Sequence, residues 1–419
     1  MLNLSKKNVY FNYLSFLIIG TSGILLNIFI ISVYDAEVLG RFNFIYAFLI
    51  IISQFSGGGI QFSILRHHSA YYRRSREVSI STVSALTLSF FISIIVTTCM
   101  YFLIPIFEGL VSLDNIAQSI LLIIPAIIFF SQNKILLMTL NGCNRMSEYA
   151  FFNTLRFIIL LVSVVIFYYI DFSVIYIPIV LAITEGILFV LLFIYIFKNI
   201  VSLSLPRKRW FKRHFIFGMK GMPGGALMEA NTRIDILMIG VFLGYTYVGI
   251  YSFAAMIAEG FSQVYIVLKN NVDPVFGNAF KMHNFPKIYQ TITDIRKSFI
   301  PILVILGILL ISLYKFIFID LFQMQIELIR ESWPVLFILV AFVLFSSFYR
   351  PFIGLLNQVG RPQLFSLVIM ISVFINVVLN IILLPILGIN GAALSTGIAF
   401  LIETYLLYRL GINILKGSP

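Results

Sequence analysis

Several ionisable side chains stand inside long apolar runs of this chain, where each costs about 2.5–3.5 kcal/mol to place and needs a reason to be there. Glu185, Glu229 and Glu259 fall near the middle of their runs, and Arg233 and Asp235 follow Glu229 closely. Lys134, Arg156, Lys220 and Arg350 lie toward one end of theirs, as do Lys315 and Glu403. An arginine stays charged in any pocket and offers an anion a planar fork of donors. A carboxyl group whose protonation or cation occupancy differs between two conformations can couple an ion gradient to movement. Glu229, Glu185, Glu259 and Asp235 are therefore candidates for ion coupling. Arg156, Arg233, Lys220, Lys134 and Arg350 are candidates for a cationic binding cavity. Structural roles compete with these: Lys315, Arg350 and Lys134 are long enough to snorkel to an interface, and Glu229 and Arg233, four apart, can pair along one helix. Glu185 and Glu259 have no cation three or four residues away. They must be protonated, paired across helices or facing water.

The runs that carry these residues read as membrane spans. Sixty per cent of the 419 residues are hydrophobic and 11% charged, against about 25% charged in a soluble domain. The apolar stretches are continuous rather than alternating, which selects helices over a barrel. They fall at 11–33, 42–65, 79–105, 116–140, 150–170, 174–197, 217–243, 248–270, 298–319, 332–356, 364–387 and 391–410. The fold class is thus an all-α polytopic membrane protein of about twelve transmembrane helices. The first run exceeds a signal-peptide core of about 7–15 residues and reads as a retained span. Loops on one side carry most of the basic residues, including Arg66, Arg73, Arg74, Arg76 and the cluster from Lys198 to Arg213. The opposite loops hold Arg41 and Arg330 among acids such as Asp35, Glu108 and Asp171. The positive-inside rule places both termini in the cytoplasm, and the net charge of +12 is then topogenic rather than a nucleic-acid signal. Cys99 and Cys143 form no disulfide framework. The four histidines fall in polar loops without metal-ligand spacing, so no metal is expected.

The halves echo each other. LNGCNR (140–145) follows the fourth run and LNQVGR (356–361) the tenth; VLGRFN (38–43) opens the second and YVGIYS (247–252) the eighth. A six-plus-six repeat follows, with both halves running in the same direction as parallel bundles around a central cavity. The boundaries are 1–197 for the first bundle, 198–216 for a basic cytoplasmic linker acting as a hinge, and 217–419 for the second. GMKGMPGG (218–225) marks Pro223, Gly224 and Gly225 as a gating hinge, because proline removes a helix donor. Gly57, Gly58 and Gly59 permit close helix approach or a local bend. The segment 271–297 mixes Phe and Ile with Lys and Arg, as if to lie along the inner interface.

Residues 357–400 resemble the eleventh and twelfth spans of polysaccharide exporters in the multidrug/oligosaccharidyl-lipid/polysaccharide superfamily. TRIDILMIGVFLGYTYVGIYSFAAMI (232–257) is similar to that family's seventh and eighth spans, and DAEVLGRFNF (35–44) to its amino-terminal half. The length fits the bacterial O-antigen type flippases. The resemblance implies an inner-membrane flippase that carries polyprenyl-pyrophosphate-linked oligosaccharide to the periplasmic leaflet for O-antigen, lipopolysaccharide or capsule assembly. It implies no cofactor beyond a proton or sodium gradient, and membrane lipids and polysaccharide polymerase machinery as partners. Cations in the cavity would then offset desolvation of the pyrophosphate. The alternative is a cation-coupled multidrug exporter of the same superfamily; the first run, 11–33, lacks the acid such a transporter offers a cationic drug. Short outward loops leave no room for a catalytic domain, so an enzyme is not expected.

Overall fold

In the computed structural model, residues 6–71, 74–110, 113–321, 326–350, 355–358 and 361–417 are described. Arg73 of the basic loop and Val359–Gly360 of the second repeat motif lie outside them. The described residues are almost wholly helical. They form two compact units, Met1–Glu229 and Ala230–Pro419.

The first unit contains α1 (Lys6–Val33), α2 (Ala36–Ser56), α3 (Ile60–Tyr71), α4 (Ser75–Leu110), α5 (Ile116–Gly142), α6 (Met146–Tyr169) and α7 (Ile179–Asn199). The unit boundary falls inside α8 (Lys208–Leu243). The second unit continues with α9 (Tyr245–Lys281), α10 (Phe285–Lys315), α11 (Ile326–Ser346), the short α12 (Leu355–Gln358), α13 (Pro362–Leu387) and α14 (Ile389–Gly417). Counting α2 and α3 as one interrupted run and setting aside the four-residue α12 gives, among the described residues, the twelve expected spans, six before α8 and six from α8 onward. Nine helices among the described residues meet a strict length and hydropathy standard. Absent from those nine are α1, of which the apolar part Ile18–Val33 is shorter, and two charged helices: α8, which carries Lys220, Glu229, Arg233 and Asp235, and α9, with Glu259. Their charges lower the hydropathy that defines a span.

Burial is distributed as lipid solvent requires. Exposed side chains include Phe91, Ile95 and Phe102 on α4, Ile302, Ile305 and Ile308 on α10, and Phe374, Ile382 and Ile386 on α13. Buried side chains include Ser53, Ser63, Ser84, Ser93, Ser131 and Asn133. Hydrocarbon competes poorly for polar groups, so serines and threonines turn inward, where small side chains also let helices approach. The hydroxyls of Thr82 and Ser84 donate to carbonyls one turn back, at 2.9 and 2.7 Å.

The glycine triplet both breaks a helix and admits a neighbour. Gly58 and Gly59 have φ of +57° and +65°, which ends α2 and starts α3. A Cβ on Gly59 would lie 2.3 Å from the Gly218 carbonyl oxygen on α8, a distance no side chain tolerates. Gly221 and Gly225 similarly leave room for the Phe62 ring. These glycines of α8 therefore act in close packing inside the first unit, and α8 stays helical through Pro223.

Two expectations are corrected. The segment 271–297 does not present a free amphipathic face. It forms the helical ends of α9 and α10 around a turn at Met282–Asn284, where Asn284 caps the Lys287 amide at 3.2 Å. Ile288, Ile292 and Ile295 recur at helical spacing and pack with Val272, Phe276, Leu355 and Leu415. The apolar stripe is consumed by its own unit. Nor are the histidines all loop residues: His68 and His214 are buried at 1% and 0% exposure on α3 and α8.

Candidate functional site

Among the described residues, each unit contains a cluster of buried polar side chains built around a carboxylate. In the first unit, α5, α6 and α7 converge on Glu185. The Arg156 guanidinium faces its carboxylate side-on, Nε to Oε1 at 2.9 Å and Nη2 to Oε2 at 3.3 Å. Asn133 donates to Glu185 Oε2 at 2.8 Å and to the Glu185 carbonyl at 2.9 Å. Lys134 points into the unit rather than to an interface, and its Nζ donates to Ser53 Oγ at 2.8 Å. Both cations use one ring: Lys134 Nζ lies 4.9 Å and Arg156 Cζ 4.6 Å from the Phe130 centroid. A ring face attracts cations by about 0.5–2 kcal/mol, so Phe130 organises two charges that would otherwise separate. Glu229, on α8, acts electrostatically on Lys134.

Arg156 is thus paired across helices, the arrangement open to Glu185 in the absence of a local cation. The contact of the Lys134 ammonium is different in kind, because a hydroxyl does not neutralise it. An anion entering this unit would find an ammonium held by a hydroxyl and a ring face, with the carboxylates of Glu229 and Glu185 acting on it through space.

In the second unit the cluster forms around Asp235 on α8, which is 4% exposed. Thr396 Oγ1 donates to its Oδ2 at 2.6 Å, and Asn380 Nδ2 to its Oδ1 at 2.9 Å. The Tyr251 hydroxyl reaches Oδ2 at 3.4 Å, and Asn380 also donates to Asn376 Oδ1 at 2.6 Å. Asn380 Oδ1 is buried with no hydrogen-bond partner. One carboxylate, two amide oxygens and two hydroxyl oxygens in a dry site make an all-oxygen donor set, the type hard cations prefer. The unsatisfied Asn380 Oδ1 fits such an ion, or a proton on Asp235.

Beside it lies a pocket of about 180 Å³ lined by Asp235, Glu259, Tyr251, Arg350, Thr396 and Phe400. Arg350 stacks 4.2 Å from the Phe400 centroid rather than reaching for an interface. Arg233 acts electrostatically on Glu259. Asn231 donates to the buried Glu403 at 3.3 Å. Lys315 rests 4.8 Å from the Trp333 ring near its helix end.

Of the residues singled out from sequence, Lys134, Arg156 and Glu185 come together in one unit, and Asp235, Glu259 and Arg350 in the other. Lys220 and Pro223 are exposed on α8, and a Cβ on Gly224 would meet open space. The sequence reading missed Asn133, Tyr251, Asn376, Asn380 and Thr396. Asn376 and Asn380 carried a readable signal: two amides at i and i+4 inside the apolar run FINVVLNIILL.

The chain belongs to the polysaccharide biosynthesis protein family, whose sequence profile matches residues 5–279. The MatE profile matches residues 226–382. No curated protein sequence matches at a significant level. Among solved structures, the lipid II flippase MurJ in an inward-closed conformation has a TM-score of 0.77 at 16% identity, over 97% of this chain and 88% of that one. An inward-facing multidrug resistance MATE family transporter of the MOP superfamily gives 0.75 at 14% identity, over 95% and 96%. A Pyrococcus furiosus transporter of that superfamily, whose binding pocket is described as of reversed polarity, gives 0.62 at 14% identity, over 98% and 94%. Family and fold together define a multi-pass membrane protein of the polysaccharide biosynthesis family that has the fold of the MOP superfamily transporters.

Proposed function

We propose that this transporter is a flippase for polyprenyl-pyrophosphate-linked oligosaccharide, working in the bacterial cytoplasmic membrane with both termini inside, in O-antigen or capsular polysaccharide assembly. The observation that carries the reading is the Lys134–Arg156 pair on Phe130, in the unit matched by the polysaccharide biosynthesis profile. A pyrophosphate loses hydration when it leaves water, and fixed cations in a low-dielectric surround offset that loss. Lys134 is held by the Ser53 hydroxyl and the Phe130 ring, contacts that a phosphate oxygen can replace or share. The named function of MurJ, a flippase for a lipid-linked substrate, supports the same class of cargo.

Asp235 supplies the coupling. A cation or proton bound by Asp235, Asn376, Asn380, Thr396 and Tyr251 would favour one conformation of the transporter, and its release another. The multidrug reading draws support from the MatE match, which spans residues 226–382 and so includes Asp235 and most of its unit.

The test is reconstitution in liposomes with a labelled lipid-pyrophosphate oligosaccharide, scored by a membrane-impermeant reagent. Lys134→Gln should slow loss of headgroup protection at least tenfold while leaving Tm within a few degrees. Unchanged flipping in that variant removes Lys134 from the mechanism.

A further inference from the structure

The segment joining α7 to α8 is fastened along α4. Val201 is buried against Val78 and Ile196. The Ser202 amide donates to Ser79 Oγ at 3.0 Å, and the Arg207 amide to Ser84 Oγ at 3.1 Å. Between these two anchors Leu203 and Leu205 are 86% and 85% exposed, among the most exposed large apolar side chains described. Arg76, Ser79, Ser202, Ser204 and Arg207 line a cleft of about 550 Å³ together with the two leucines themselves. Ser204 Oγ is a buried atom without a hydrogen-bond partner. Glu77, the carboxylate next to Arg76, accepts from Trp210 Nε1 at 3.1 Å and is engaged there.

Depth decides what surrounds this segment. Ser79 and Ser84 are in the first turns of α4, about 7.5 Å apart along it. The apolar lipid-facing residues of that helix, Phe90 and Phe91, begin two turns further on. The strap therefore sits where headgroups meet acyl chains, on the face that carries the basic loops. Two leucines have no use for water there, and two arginines with three serine hydroxyls have no use for hydrocarbon.

We propose that this cleft holds the headgroup of an anionic phospholipid. Arg76 and Arg207 take the phosphodiester, Ser204 donates its hydroxyl to it, and Leu203 and Leu205 seat among the acyl chains. A free phosphate ion would use the arginines but leave the leucines unexplained. Bound lipid would hold the strap on α4 and so brace the start of α8.

The test uses the full chain in mild detergent and native mass spectrometry with phosphatidylglycerol, phosphatidylcholine or inorganic phosphate as probe. Wild type should retain phosphatidylglycerol in preference to phosphatidylcholine and should not lose it to millimolar phosphate. The double variant Arg76→Gln, Arg207→Gln should weaken phosphatidylglycerol binding about thirtyfold, taking about 1 kcal/mol for each arginine near a lipid surface. Leu203→Ser with Leu205→Ser, which leaves every charge in place, should also weaken it. Equal retention of the two lipids, displacement by phosphate, or unchanged binding in both variants would overturn the proposal. The lipid-binding readout is independent of flipping, so its failure is distinct from failure of the flippase reading.

Discussion

Acidification should loosen the start of α8 from the first unit, because two histidines are buried there as neutral rings. His68 and His214 lie beyond the spans 42–65 and 217–243 expected from sequence. Burial, with help from the neighbouring His214 and His67, lowers His68 to about 3, and burial together with His67 lowers His214 to about 4. Ser81 Oγ bridges the two rings, at 3.2 Å from each Nε2, while Ser63 Oγ lies 2.9 Å from His214 Nδ1. Arg213 also acts on His214, and Arg66 and Arg213 act on His67. Their positive charges add to the cost of an imidazolium. In the released state each ring returns to its ordinary value near 6.5, so the released state binds more protons. Docking is then complete above about pH 7 and weakens as pH falls below 6.5 toward the docked values. Between pH 7.5 and 5.0 each histidine withdraws about 2 kcal/mol, a factor of about thirty in the docking equilibrium. Trp210 reports this directly, since it is buried at 2% exposure and stacks on His214 at 5.4 Å. The chain has two tryptophans, so Trp333→Phe leaves one emitter. Its emission should hold steady from pH 9 to 7, then redden and weaken below 6.5. Constant emission down to pH 4.5 would refute the reasoning, as would the same titration after His68→Gln with His214→Gln.

Three other perturbations follow from the packing. Arg156→Met or Glu185→Leu alone should cost about 3–5 kcal/mol by stranding a buried charge; the double substitution should recover much of the loss in thermal melts, and equal losses in all three would deny the pairing. Gly59→Ala should lower Tm sharply, since its Cβ would strike the Gly218 carbonyl at 2.3 Å in a left-handed backbone, whereas Gly20→Ala meets nothing within 4 Å and should be neutral. Asp235→Asn should abolish the dependence of transport on an imposed proton or sodium gradient in proteoliposomes; gradient-driven transport at wild-type rate would exclude Asp235 as the coupling site.

Much of this architecture was legible before any coordinates. Hydrocarbon thickness and the cost of unpaired peptide groups fix spans almost without regard to detailed sequence, and so the twelve runs could be read directly. Arg156, Glu185 and Asp235 stood out because charge inside an apolar run is costly wherever it occurs. Their partners did not stand out. Arg156 and Glu185 are 29 residues apart on different helices, and helix-to-helix register is set by packing that periodicity does not contain. Asn380 and Thr396 join Asp235 from α13 and α14 for the same reason. The buried histidines are hidden by their setting: RHHSAY and RKRWFKRHF read as polar loops, yet His68 lies on α3 and His214 on the start of α8, both buried and both against Ser81. The mixed apolar and basic pattern of 271–297 points from sequence to a membrane interface, because sequence gives the stripe and not what covers it.

The cargo is decided most directly by placing two substrates in competition. Proteoliposomes under one ion gradient would be given a labelled polyprenyl-pyrophosphate oligosaccharide and a cationic dye, and both movements followed together. Protein-dependent flipping of the lipid-linked sugar, slowed by Lys134→Gln and without dye export, is the expected result. Dye export with no movement of the lipid-linked sugar would contradict the flippase reading and assign the chain to drug export.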